Sequence, residues 1–197
     1  MELLAKRFIP QTELKRFDFR FHIIAEDDPN AMALPGGNVL VTTGLLELTD
    51  QPEELAGVLA HEIAHVTKRH GVKQIISTAG PYFLLKSLLQ SDSGFLGMIG
   101  HGSRMLITQN FSQKYETEAD DVAWKYLTDA NINPDGFIVF MRKLQGFSEE
   151  NEKNQVRVLS SHPPTEERVR RLEGKWRKLE KKNGFVDLSE AAPKKQK

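Results

Sequence analysis

The chain of 197 residues contains no cysteine. Disulfides, cysteine nucleophiles and thiolate metal sites are therefore excluded, and any metal must be held by His, Asp or Glu. There is no net charge either, because 27 Lys and Arg balance 27 Asp and Glu. That argues against a broad electrostatic surface for nucleic acid. No uninterrupted apolar run approaches the ~18 residues of a spanning helix. The opening MELLAKRFIPQTELKRF lacks the apolar stretch and small-residue cleavage site of a signal peptide.

What remains is an ordinary balance for a folded domain, 39% hydrophobic and 27% charged. The length suits a single domain with a real core. We expect it to occupy residues 1–183, with 184–197, ending in AAPKKQK, as a disordered tail. Residues 3–16 read as a short helix or arm. In FDFRFHIIA, Phe17, Phe19, Phe21 and Ile23 alternate, which predicts a half-buried strand. Pro35-Gly36-Gly37 breaks the chain before NVLVTTG, a second strand at about 38–43. The two strands could form a small antiparallel sheet. Asp50 with Glu53 resembles a capping box, and Pro52 suits a first helical turn. Leu55, Val58, Leu59, Ile63 and Val66 then recur at helical spacing, and Gly71 is a plausible terminator. Residues 72–110 read as a core helix and loop, or else as a lid or membrane-facing segment. Three further helices are expected from 112–130, 134–147 and 165 onward.

The long helix carries LAHEIAHVTKRHG, Leu59 to Gly71. At about 100° per residue, His61 and His65 stand one above the other on one face. Two imidazoles so placed can meet one zinc ion, while Glu62 lies one step round and can reach a water on that ion. His70 is nine residues from His61, about half a turn away on a continuous helix. We therefore read it as a surface or capping histidine. A third ligand is better sought in YETEADDVAW. Glu116 and Asp120 share a helix face. A carboxylate completes a two-histidine catalytic zinc site, and an aspartate one turn on can accept the free N–H of a ligating histidine. Alone, this pair could equally be a solvated acidic face.

Four stretches in order, NAMALPGGNVLVTTGLL, HEIAH, ETEAD and SHPPTEER, resemble the gluzincin metallopeptidases of the HtpX and CAAX-prenyl-protease type. The similarity is greatest to the soluble bacterial branch, whose members act in the cell envelope. It implies an α+β, mostly α, zincin-like domain with a small antiparallel sheet beside the HExxH helix. It implies one zinc ion per chain held by His61, His65 and Glu116, with Glu62 as base and Asp120 behind a ligand. It makes Val39, Leu40, Val41 and Thr42 an edge strand that holds a substrate backbone by strand addition. By the same resemblance His162 and Arg168 lie near the metal as catalytic residues. They either donate to the oxyanion, or His162 takes the fourth zinc position and keeps the enzyme latent. The expected activity is zinc-dependent endopeptidase on unfolded or misassembled polypeptide in the bacterial envelope, the periplasm above all. The competing expectation is a chaperone-like or latent binding module. Residues 79–99 are a candidate peripheral membrane contact.

Overall fold

The computed structural model describes residues 1–77, 111–151 and 162–190. Helices α1 (Glu2–Phe8) and α2 (Gln11–Arg16) lead into strand β1 (Arg20–Ile24). Strands β2 (Ala31–Ala33) and β3 (Asn38–Thr42) form a hairpin, followed by α3 (Thr43–Leu48) and α4 (Pro52–Thr67). After a turn the chain is helical again over 70–77. The later helices are α5 (Gln113–Asp129), α6 (Asp135–Asn151) and α7 (Glu166–Lys178). The fold is mostly α with a small sheet, as expected.

Helix α4 is the axis of the domain. Pro52 occupies its first turn, where a missing N–H costs nothing. The Glu54 carboxylate reaches back to accept from the Asp50 backbone N–H at 3.3 Å. The capping partner is thus Glu54 rather than the expected Glu53, because the helix starts one residue later than the sequence suggests. Lys143 of α6 bonds both Asp50 and Glu54, at 2.6 and 2.7 Å. Every residue from Glu54 to Val66 is buried, so α4 is covered on all sides rather than amphipathic. α5 and α6 flank it, with α1 and β2 on the remaining faces. Leu59, Ile63, Leu127 and Leu144 are fully buried in this core, each contributing about 1.5–3 kcal/mol of transfer free energy. Two glycines set the α4–α6 separation. A Cβ on Gly57 would lie 2.4 Å from Phe137 Cβ, and one on Gly136 would lie 2.5 Å from Glu53.

The sheet departs from expectation in three ways. It has three strands in the order β1-β3-β2. It is mixed rather than antiparallel, because β1 runs parallel to β3 and only β2 runs antiparallel to it. Most important, β3 is the middle strand. Val39, Leu40, Val41 and Thr42 pair on both sides, so they cannot be the open edge assigned to them. The short strand β2, hidden in NAMALPGG, takes the edge next to α4 instead. Thr42 N–H bonds Asn30 O, and Leu34 N–H bonds Asn38 O. By the antiparallel alternation, the main-chain groups of Ala31 and Ala33 therefore point away from β3. Gly36 and Gly37, with φ of 90° and 92°, make the hairpin turn. In β1, Phe21 is half-buried but Ile23 is 55% exposed, so the predicted alternation fails at its end.

Part of the expected tail packs against the domain. Val186 N–H bonds Asn131 O at 2.9 Å, and Leu188 is fully buried. Val186 and Leu188 therefore pack against the domain, while Gly184, Ser189 and Glu190 are exposed and 191–197 lie outside the described residues. So does 79–99, the expected lid or membrane contact. Among the described residues no helix is long and apolar enough to cross a membrane.

Candidate metal centre

Four elements converge on one buried spot. α4 supplies His61, Glu62 and His65, and the first turns of α5 supply Glu116 and Asp120. The segment before α7 supplies His162, and the start of α7 supplies Arg168. Ser112 caps α5 and Thr165 caps α7, each accepting from a backbone N–H three residues on. Those caps fix where Glu116 and Arg168 emerge. All these site side chains are buried.

His61, His65, Glu116 and His162 each turn one donor atom inward, and the four atoms lie within 4.8 Å of one another. His61 Nε2 is 3.1 Å from His65 Nε2 and 3.4 Å from His162 Nδ1. Glu116 Oε1 is 3.4 Å from His65 Nε2 and 2.8 Å from His162 Nδ1. Glu116 Oε2 is 3.4 Å from His61 Nε2. The sequence-predicted ligands and His162 are thus brought together. Glu62 stands beside them, its Oε1 3.6 Å from His162 Nε2. Glu62 Oε2 and His162 Nε2 are buried without hydrogen-bond partners among the described residues.

A carboxylate and a guanidinium back this cluster. His61 Nδ1 lies 3.0 Å from Asp120 Oδ1. Arg168 grips Asp120 through Nε and a terminal nitrogen, at 3.0 and 2.7 Å. Its other terminal nitrogen meets Glu116 Oε2 at 2.7 Å and donates to Pro163 O at 2.9 Å. Arg168 is therefore committed to holding two carboxylates and the His162–Pro163 segment.

His70 corrects the sequence reading. It is fully buried, not on the surface. Its Nδ1 lies 3.1 Å from His65 Nδ1, its Nε2 lies 3.4 Å from Glu118 Oε2, and its ring stacks on Tyr115. The half-turn projection fails because α4 ends at Thr67. Arg69 adopts a φ of 56°, and the chain folds back before resuming its helix. Sequence reasoning also missed Phe111, whose ring sits 4.3 Å from that of His65 and stacks on His162. No spacing rule points to it. A cavity of about 320 Å³ opens beside His65, walled by Arg16, Ala33, Leu34, Val66 and Arg69.

The electrostatics favour positive charge at the centre. Burial opposes a charge on His61, yet Asp120 and Glu116 outweigh it and raise its pKa to about 9. Burial would likewise raise Glu116, but His162 and His61 hold it well below the usual carboxylate range. Burial works against ionised Asp120 too, and His61 with Arg168 overcomes it to bring the pKa down to about 2. His65 is pushed well below its ordinary value by burial first, then by His162 and His61. A proton on His61 and a metal cation thus compete for one negative spot.

Comparison with known proteins gives the family. The profile of peptidase family M48 matches residues 2–175. The chain belongs to peptidase family M48. Mitochondrial metalloendopeptidase OMA1 of Schizosaccharomyces pombe is 29% identical, over 85% of this chain and 50% of its own length. The β-barrel assembly-enhancing protease of Yersinia pestis is 30% identical, over 84% of this chain and 36% of its own. Metalloprotease LoiP of Escherichia coli is 29% identical, over 77% and 60%. The chain thus spans between about a third and three fifths of these relatives. The metallopeptidase family read from the four motifs is borne out, and this M48 member carries a cluster of metal-ligating groups.

Proposed function

We propose that this M48 member is a zinc-dependent endopeptidase of unfolded or extended polypeptide, held latent by His162. The observation that carries the reading is the convergence of four buried donors, their ligand atoms within 4.8 Å of one another and joined by contacts of 2.8 to 3.4 Å through His61 and the two Glu116 oxygens. Zinc bonds of about 2.0–2.1 Å in a tetrahedron give edges of about 3.3 Å. The donor set fits as well. Asp120 can only accept, so a neutral His61 keeps its proton on Nδ1 and turns a lone pair inward. His61, His65 and Glu116 are the proposed ligands. Zinc held there would supply Lewis acidity to the attacking water and to the scissile carbonyl.

The chain's own residues supply the rest. Glu62, with an unpartnered carboxylate oxygen beside the cluster, takes the proton of the attacking water and returns it to the leaving amine nitrogen. Arg168 holds Asp120 and Glu116 in place, and Asp120 holds His61. With its donors so engaged, the fit of Arg168 to an oxyanion is poorer than its fit to this holding role. His162 Nδ1 points at the fourth position, where it competes with water. It must swing away before a substrate can enter. The outer edge of β2, at Ala31 and Ala33, is the proposed strand for substrate addition; both residues are buried here, so the edge must be uncovered first, and the cavity beside His65 would receive a side chain. Backbone pairing of that kind favours extended chains. The similarity to enterobacterial proteases, one of them named for β-barrel assembly, supports a bacterial envelope setting.

The test is cleavage of an unfolded protein such as reduced casein by zinc-loaded wild type, Glu62→Gln, His162→Ala and the double variant. We expect His162→Ala to exceed wild type. Adding Glu62→Gln should lower the rate at least about a hundredfold with zinc content unchanged. Equal cleavage with and without Glu62 would remove it as the base. No cleavage by any zinc-loaded form would leave the binding-module reading in its place.

A further inference from the structure

We propose that His70 is a positioning residue for His65, transmitting the hold of Glu118 to that proposed metal ligand. The inference rests on the zinc reading above. His70 is fully buried, although it follows a half-buried Lys68 and an exposed Arg69. Its Nδ1 faces His65 Nδ1 at 3.1 Å, and its Nε2 faces Glu118 Oε2 at 3.4 Å. The ring is clamped against Tyr115, with centroids 4.5 Å apart and planes 16° from parallel.

The proton order along this chain follows from its ends. For His65 Nε2 to present a lone pair to a cation, His65 must carry its proton on Nδ1. His70 Nδ1 must then accept that N–H. Neutral His70 has only one proton, which goes to Nε2, and the partner there is a carboxylate that accepts it. Glu118 therefore fixes the tautomer of His70, and His70 fixes that of His65. The other proposed histidine ligand, His61, is backed by Asp120 directly. Both imidazoles are thus tied to a carboxylate, one at first hand and one through a second ring. Such partners orient a ligand and raise its basicity.

The backbone supports the same conclusion. Arg69 sits at φ 56°, a left-handed conformation that costs a non-glycine residue roughly 1–2 kcal/mol. Continued right-handed helix would carry His70 away from His65. The strained residue is the one that swings it back.

The experiment measures zinc affinity by chelator competition at fixed pH, beside the thermal unfolding of the metal-free proteins and the visible spectrum of the cobalt forms. His70→Leu removes the acceptor. We expect it to bind zinc about 10–100-fold more weakly and to shift the cobalt spectrum. His70→Asn keeps a side-chain oxygen near Nδ1 and should stay within about fivefold of wild type. Should the leucine variant fail to fold, Glu118→Ala cuts the same relay from a more exposed position and should weaken binding severalfold. Wild-type affinity in His70→Leu, or an equal loss in His70→Asn, overturns the proposal while leaving the zinc site standing. If His70→Leu does not fold, an unchanged Glu118→Ala overturns it. Failure of wild type itself to bind one zinc ion overturns the zinc reading and this inference together.

Discussion

Replacing Gly57 with alanine tests how the fold holds the site. The helix interior favours alanine over glycine by about 1 kcal/mol, so a solvent-facing glycine on α4 would gain stability. Gly57 faces α6 instead. The new Cβ would lie 2.4 Å from Phe137 Cβ and 2.7 Å from Phe137 Cα. A normal carbon contact is about 3.5–4.0 Å, and rotating a side chain cannot relieve a clash with Cα and Cβ. The helices must separate by about an ångström. Overpacking of this kind costs about 1–3 kcal/mol, occasionally more. Backbone involvement puts Gly57→Ala at the upper end, so after the helix-propensity gain we expect a net loss of about 1–2 kcal/mol. For a chain of this size that is a fall in Tm of roughly 2–8 °C. The Phe137 ring also lies 5.7 Å from that of His61, so its displacement should disturb metal binding. Thermal and urea unfolding of metal-free wild type and Gly57→Ala, with zinc titration of each, is the assay. A variant as stable as wild type with unchanged zinc affinity would refute the claim that this contact sets the helix spacing.

Two further predictions use the buried charges. Arg168→Met should remove the guanidinium shared by Asp120 and Glu116, leaving Asp120 its 3.2 Å contact with Arg171, and destabilise the metal-free protein by about 3 kcal/mol. Adding Asp120→Leu should recover part of that loss, and unfolding of the single and double variants in urea measures both. For Lys143, burial disfavours the charge, but Asp50 and Glu54 outweigh it and raise the pKa above 10.5. The raised value means its ion-pair stabilisation is complete below pH 10.5 and declines as pH climbs through the folded value. Lys143→Met should therefore cost about 1–2 kcal/mol at pH 7, and the gap from wild type should narrow in the alkaline limb of a stability–pH curve. A gap that stays constant would sever the link to the lysine charge.

The site was legible where its logic is local. His61 and His65 are spaced i, i+4 on a helix, as are Glu116 and Asp120, and helical geometry alone puts each pair on one face. Nothing local joins the first pair to the second, nor either of them to His162 and Arg168. Those joins came from the order of four motifs and needed three helices to pack before distances existed. Phe111 had no such signal, because an aromatic ring beside a histidine is set entirely by tertiary packing.

The misreadings share one physical origin, a local rule extended past the point where the backbone changed. β2 is three residues long, too short for alternation to register, and without it β3 passes for an edge. Once β2 is in place, the edge of the sheet moves to Ala31 and Ala33, and with it the strand proposed for substrate addition. His70 fails in the same way. The angular projection is sound for a helix, but α4 stops at Thr67 and Arg69 reverses the chain. The structure gives the reason for the stop, since Thr67, Lys68 and Arg69 follow thirteen consecutive buried residues. A helix leaving the core has lost the packing that sustained it, so its end belonged at that polar run and not at Gly71. Moving the end four residues forward releases His70 from the far face, and it becomes a neighbour that His65 can use.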